Sequence, residues 1–186
     1  MADFEDRIAL FGLTPQLPQI GDLVIPDNEV HYLSRTPPAN AAAIWHKDLG
    51  RTVKPRDFAQ LKQWIGVPDD AAKQLAHPPV FRTRARPRPT HLVSHLTHAD
   101  KVDYAKAYVF GNSAALAQVS VELSDILQHI IVHFARDIIV GHNARLIYGP
   151  DNHAVHARHI KIFTGGQIQA NSFMSINCTS MAAKLA

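Results

Sequence analysis

Hydrophobic and polar residues alternate through the last third of the chain, and the alternation repeats after 22 residues. Residues 135–140 (ARDIIV) recur as residues 157–162 (ARHIKI), with Ala, Arg and Ile identical at the first, second and fourth positions. One turn of chain built from such short apolar runs cannot bury its apolar side until another turn stacks on it. The pattern therefore predicts stacked coils of about 22 residues.

The inward positions of these coils follow from the period of two that strands impose on their side chains. In the first coil they are Ile138, Val140, Ala144, Leu146, Tyr148, Val155 and Ala157, and in the second Ile160, Ile162, Gly166, Ile168, Ala170, Met174, Ile176 and Cys178. Met181 begins a third, partial coil, so Ile138, Ile160 and Met181 are expected to stack in one column, spaced by about 4.8 Å. Each buried side chain of such a column contributes about 1.5–3 kcal/mol.

By this period and alternation, residues 115–186 resemble the parallel β-helix proteins, and more closely the right-handed, three-sided kind. The resemblance implies a fold and no particular activity. A left-handed β-helix is the alternative, because residues 140–145 (VGHNAR) look like one hexapeptide repeat. The hexads are not sustained, and a 22-residue period does not fit three sixes. The predicted fold class is mainly β, a short parallel β-helix with a proline-broken, partly helical N-terminal region.

The first ninety residues have a different pattern, that of short helices separated by prolines. Short helices are predicted from an Asp3 cap to Phe11 and over residues 56–65. Residues 78–90 (PPVFRTRARPRPT) contain four alternating arginines and two closing prolines, and they are expected to be an extended connector. The predicted division is therefore a helical or irregular region over residues 1–90 and a β-helix domain over residues 91–186.

Two segments of the predicted β-helix domain lie before the repeat. Alternation predicts a strand over residues 102–110. Residues 113–134 fit helical and strand spacing alike; their β-branched residues favour strands, but the choice between a helix and a further coil stays open.

Charge, cysteine content and the lack of long apolar runs indicate the cellular compartment of the protein. The chain has a net charge of +3, twelve histidines and one cysteine, Cys178. A single cysteine excludes an internal disulfide and fits a reducing compartment. No apolar run is long enough to span a bilayer, and the N-terminus lacks a signal-peptide pattern. The sequence predicts a cytoplasmic protein without a membrane span, and export without a cleaved signal is left open.

Four alternating arginines in the connector are the candidate site for a polyanion. On an extended chain, all four guanidinium groups lie on one side, spaced by about 6.6 Å. This arrangement suits nucleic acid or an acidic polysaccharide, although no aromatic residues interleave the arginines. The alternative is a solvated connector. The four residues are Arg82, Arg84, Arg86 and Arg88.

Other site chemistry has weak support in the sequence. His91, His95 and His98 share one face if their segment is helical, but no Glu follows in the arrangement of a zinc enzyme, and no metal site is expected. There is no nucleophile-elbow, phosphate-loop or dinucleotide motif, so no catalytic residue and no cofactor is predicted.

Outward apolar residues suggest an interface. Ile139 and Ile147 both face outward, where two large apolar side chains should not meet water together. Met181 and Leu185 lie in a last coil that has no polar cap, and an open coil end exposes unpaired strand edges. The predicted function is therefore a non-enzymatic, structural role in self-assembly, as a homo-oligomer or with a protein partner.

Two other functions compete with the assembly role, and the question of an enzyme stays open. The first is a carbohydrate-active enzyme, because charged residues align in neighbouring coils on an outer face. The second is a polyanion-binding module that uses the arginines of the connector. The aligned residues are Arg136, Asp137, Arg158 and His159.

Overall fold

The computed structural model describes residues 3–66, 102, 105, 108–110, 127–172 and 174–186. The chain divides into two compact units. Residues 1–53 and 130–186 form the first, and residues 54–129 form the second. This division differs from the predicted boundary at residue 90, because N-terminal strands pair with strands of the repeat region.

The first unit contains two short helices and nine described strands. They are α1 (Phe4–Leu10), a 3-10 helix (Thr14–Gln19), β1 (Leu23–Ile25), β2 (Val30–Leu33), β3 (Ile44–His46), β4 (Gly50–Val53), β5 (Ile130–Val140), β6 (Arg145–Tyr148), β7 (Asn152–Phe163), β8 (Gln167–Ala170) and β9 (Ser175–Leu185). α1 begins where the sequence predicts, because the Asp3 side chain accepts a hydrogen bond from the Asp6 N–H at 2.9 Å.

The strands form two sheets in which nearly all neighbours are parallel. The first sheet has the order β1-β5-β7-β9, and β4 pairs antiparallel with β5. The second has the order β3-β2-β6-β8. Between two long strands of the first sheet, the chain forms a short strand of the second sheet. Successive strands within each sheet can therefore run in the same direction. The prediction of a mainly β protein with parallel strands is confirmed.

The register of the first sheet follows the repeat in the sequence. Ile138 pairs with Ile160, and Ile160 pairs with Met181. The same column continues in the other direction, because Leu23 pairs with Ile138. Residues 23–33, which the sequence places in an irregular region, instead form β1 and β2 and add one more layer to both sheets.

The turn that connects the two sheets has the same backbone geometry in three successive layers. Asn28, Asn143 and Gly165 have positive φ angles of 63°, 53° and 78°. Each lies three residues after a stacked strand position, and residues of these types adopt this conformation most readily. Space is also limited at Gly141, two residues before Asn143, since a Cβ atom there would collide with the Asp27 side chain.

One hydrophobic cluster unites the inward side chains of both sheets. All seven inward positions predicted for the first coil belong to it. In the second coil Ile160 is buried, four further predicted positions are partly buried against the cluster, and Ala170 and Ile176 are exposed. The cluster consists of Ile25, Leu33, Ala135, Ile138, Val140, Ala144, Leu146, Tyr148, Val155, Ala157 and Ile160.

The second unit contains helical segments among its described residues. α2 (Phe58–Ile65) begins at Asp57, whose side chain accepts a hydrogen bond from the Gln60 N–H at 2.8 Å, and ends at Gly66. The described residues between 102 and 110 are helical, so the prediction of a strand there is wrong. Ala105, Tyr108 and Val109 are buried at the three-to-four spacing of a helix, which the alternation in the sequence had concealed.

The undecided segment before β5 divides at residue 130. Residues 130–134 belong to β5. Residues 113–126 lie outside the described residues. Among the helices that the structure describes, none is long and apolar enough to cross a membrane.

Candidate functional site

A cluster of charged and hydroxyl side chains lies on the outer face of β5, β7 and β9, where the strands interrupt their alternation. Ala157 and Ile160 are both buried although they are three residues apart, and the two residues between them are both half-exposed. Two consecutive side chains therefore face outward, and β5 shows a similar interruption one layer away. The outward pairs are Arg136 and Asp137 in β5 and Arg158 and His159 in β7.

The pairing of the strands brings three of these polar residues into one column. Asp137 is the register partner of His159, and His159 is the partner of Ser180. The predicted alignment of Asp137 with His159 is therefore present. Ser180 was missed, although its position 21 residues after His159 is the signal that could have found it.

Ion pairs organise the two arginines of the cluster differently. Arg136 donates two hydrogen bonds to the carboxylate of Asp22, at 2.8 and 2.9 Å. The hydrogen bond from Arg136 lowers the pKa of Asp22, and the same bond raises the pKa of Arg136. Arg158 donates a longer bond of 3.3 Å to Asp137, whose second oxygen lies 3.9 Å from Lys161 Nζ.

The His159 and Ser180 side chains form a hydrogen-bonded pair, with 2.7 Å between Nδ1 and Oγ. A serine nucleophile needs a histidine base that a carboxylate orients through its other nitrogen. The nearest candidate in the column is Asp137, and its two oxygens contact Arg158 and Lys161. The column therefore resembles a catalytic triad in residue types but not in its contacts.

Two cavities flank the Arg136 and Asp22 ion pair, and each cavity contains one of its members. The first, of about 240 Å³, is lined by Phe4, Glu5, Leu17, Pro18, Ile20, Arg136 and Arg158. The second, of about 280 Å³, is lined by Gln19, Ile20, Gly21, Asp22, Leu23, Asp48, Leu49, Arg51, His133, Phe134 and Ala135. The first combines an apolar wall with two guanidinium groups, which suits an anion better than a cation.

Buried histidines form a second polar group, which the sequence did not reveal. His31 lies 2.7 Å from a Glu29 oxygen and 2.9 Å from a ring nitrogen of His46, with the two rings stacked at 4.9 Å. Burial lowers the pKa of His46, and the neighbouring His31 lowers it further. These histidines come together because His31 and His46 lie on β2 and β3, which the sequence did not predict as strands.

His133 is the most deeply buried titratable side chain of this group. Its Nδ1 atom lies 3.0 Å from the hydroxyl of Tyr148. Burial, with a smaller effect of His46, lowers the pKa of His133 to about 4. Burial also raises the pKa of Tyr148, so both side chains are neutral near pH 7.

The predicted interface residues lie at three separate places in the first unit. Ile139 is half-buried between Val24 and Lys161 in its sheet. Ile147 is half-buried in the other sheet. Met181 is 53% exposed on β9, and Leu185 is half-buried at the end of the same strand. The structure therefore does not gather the four residues into one patch.

The other predicted site residues fall outside the part of the chain that the structure describes. They are Arg82, Arg84, Arg86, Arg88, His91, His95 and His98. Within the described residues, no group of three or more His, Cys, Asp or Glu side chains could hold a metal ion. Cys178 is partly buried against the hydrophobic cluster, and burial raises the pKa of its thiol. No protein-family model, curated protein or solved structure matches this chain.

Proposed function

We propose that this chain is a short parallel β-helix with a structural, non-enzymatic role, and that it associates with a second copy of itself through β9. The β-helix is supported by the columns of paired residues, which continue through four strands of the first sheet. It is also supported by the turn with a positive φ angle that recurs in three layers at Asn28, Asn143 and Gly165. Repeated backbone geometry at a fixed offset is what stacked coils require.

The observation that carries the assembly role is the exposure of the core at β9. Along one column, the exposed fraction is 0% at Ile138 and 1% at Ile160 but 53% at Met181. In a second column it rises from 1% at Val155 to 39% at Ile176. Inward apolar side chains are therefore accessible at this end of the stack. A contiguous exposed apolar surface is a feature of protein contact sites.

The backbone of β9 supports a second copy as the occupant. β9 is 11 residues long, and among the described strands only β7 pairs with it. An open strand edge of this length is a template for another strand. Lys184 is the one charged residue of β9, and its positive φ of 60° places it in a backbone irregularity near the end of the strand. Two copies of β9 would therefore meet along an uncharged stretch, and a two-fold dimer closes such a contact.

The competing functions have less support. For an enzyme, the carboxylate of Asp137 would have to leave its two cations before it could act as an acid or a base. The polyanion-binding module and a different protein partner remain predictions. Binding of the arginine segment to nucleic acid or acidic polysaccharide would favour the first of these two.

The test is the native mass, measured by light scattering after size exclusion at micromolar concentration. We expect a particle of twice the chain mass of 20.6 kDa. Met181→Lys should give single chains, because it places a charge in the exposed end of the core. Val24→Lys is the matched control, since Val24 is also 53% exposed but lies on β1 at the opposite edge of the sheet.

The two variants distinguish a contact at β9 from a contact at the opposite edge of the sheet. If Met181→Lys separates the copies and Val24→Lys does not, the contact is at β9. If only Val24→Lys separates them, the contact involves the face of the neighbouring Ile139, and the proposal for β9 is wrong. A wild-type particle with the mass of one chain would exclude self-association under these conditions.

A further inference from the structure

The cavity of about 240 Å³ beside the charged cluster has two unlike walls. Phe4, Leu17, Pro18 and Ile20 provide the apolar wall, and Phe4 and Ile20 belong to the buried residues of the unit. The guanidinium-bearing side chains of Arg136 and Arg158 provide the other wall. An apolar cavity of about 150 Å³ is large enough to bind benzene. This cavity therefore has room for one aromatic ring or a short alkyl chain together with a small polar group.

Arg158 has a hydrogen-bond donor that its present contacts leave unused. Its Nη2 atom donates to Asp137 at 3.3 Å, but its Nε atom is buried and has no hydrogen-bond partner among the described residues. A buried donor on a charged group is costly to leave without an acceptor. That nitrogen has almost no accessible surface, so a ligand would reach Arg158 through the rest of its side chain, which is 38% exposed.

The charges around the cavity favour an anionic ligand at Arg158. Asp22 neutralises Arg136 through two hydrogen bonds. Asp137 is shared between Arg158 and Lys161, so one positive charge is left over. Glu5 is the acidic residue of the lining; solvent weakens the repulsion between its exposed side chain and an anion but does not remove it.

From these contacts we infer that the cavity is a binding site for a small organic carboxylate with an apolar body. The carboxylate accepts hydrogen bonds from the Arg158 guanidinium, whose planar shape matches a carboxylate. The apolar body lies against Phe4, Leu17 and Ile20. This site is independent of the contact proposed at β9, and its ligand is defined by chemistry alone.

The experiment is an isothermal titration of the full chain with 3-phenylpropanoate and, as its neutral isostere, 3-phenylpropanamide. We expect the carboxylate to bind at least tenfold more tightly than the amide. Arg158→Gln should weaken carboxylate binding at least tenfold, since a charge-assisted hydrogen bond is lost. Glu5→Gln should strengthen it, because the acidic residue of the wall is removed. Lys161→Gln should weaken it less than Arg158→Gln does, because Lys161 shares Asp137 with Arg158 but does not line the cavity.

The two wall variants keep the test decisive. Opposite effects of Arg158→Gln and Glu5→Gln, with a smaller effect of Lys161→Gln than of Arg158→Gln, support the site. If Arg158→Gln does not fold, as judged by circular dichroism, the tighter binding expected for Glu5→Gln still decides the question. No binding of 3-phenylpropanoate to the wild type at millimolar concentration would overturn the proposal. Equal binding of the acid and the amide, or equal weakening by Lys161→Gln and Arg158→Gln, would do the same.

Discussion

Acidification should destabilise this protein through the buried side chain of His133. His133 is 3% exposed, and burial lowers its pKa from 6.5 to about 4. Between these two values the unfolded chain binds a proton at His133 and the folded chain does not. The free energy of unfolding therefore has the full contribution of His133 above pH 6.5. This contribution decreases as the pH falls from 6.5 to 4, and His133 causes no further decrease below pH 4.

The size of the effect follows from the two pKa values. Between pH 8 and pH 5, His133 alone should remove about 2 kcal/mol from the free energy of unfolding. Burial also lowers the pKa values of His46 and His153, so their contributions have the same sign. Stabilities of domains are commonly about 5–15 kcal/mol, so a loss of this size is easily measured.

The assay is urea denaturation at pH 8, 7, 6 and 5, followed by circular dichroism at one protein concentration. His133→Asn keeps a polar atom near the position of Nδ1, which contacts the Tyr148 hydroxyl, but it cannot be protonated. The variant should be less stable than the wild type at pH 8 and should lose about 2 kcal/mol less on acidification to pH 5. His142→Asn, at a half-exposed turn residue, is the control for removing a histidine.

The reasoning fails if His133→Asn and the wild type show the same loss of stability between pH 8 and pH 5. It also fails if wild-type stability is flat over that range. Either result would mean that a proton reaches His133 in the folded state without the cost that burial implies. An equal change of slope in His142→Asn would show that the effect belongs to the number of histidines and not to this site.

Three further predictions concern packing, the outer face and the arginine segment. Ile160→Asp should lower the melting temperature far more than Lys161→Asp, because Ile160 is 1% exposed and Lys161 faces solvent; similar melting temperatures would contradict the stacked register. If the outward sides of β5 and β6 are contact surfaces, Ile139→Lys combined with Ile147→Lys should release soluble monomers in a light-scattering measurement, whereas unfolding of the double variant would show that these half-buried residues support the fold itself. Changing the four arginines between residues 82 and 88 to Glu should abolish any salt-dependent binding to heparin or single-stranded DNA in a filter assay, and unchanged binding would remove the polyanion hypothesis.

The stacked core of the repeat region could be predicted from the sequence because its information is local. Side chains alternate along a strand, and equivalent residues recur at a fixed offset, so the column from Ile138 to Ile160 needs only the printed repeat. All seven inward positions that the same logic identified in the first coil belong to the hydrophobic cluster. It also aligned Asp137 with His159, since residues in one column share the period of the core.

The additional layer formed by β1 and β2 needed the tertiary structure. Leu23 pairs with Ile138, and residues 54–129, which form the second unit, lie between them in the chain. Three- and four-residue strands contain too little alternation to stand out among prolines, and their pairing partners are distant in sequence. Only the edges of β5 and β6 decided where β1 and β2, respectively, could pair and bury their apolar side chains.

Polar sites inside and beside the core also depended on tertiary structure. The contact of His31 with His46 arises because β2 and β3 lie side by side, and the cavity at Arg158 arises because α1 and the following 3-10 helix come close to β7. Neither arrangement leaves a fixed spacing in the sequence. A repeated pattern determines which side chains share a column, whereas the pKa of a histidine or the space beside an arginine depends on burial by residues far away in the chain.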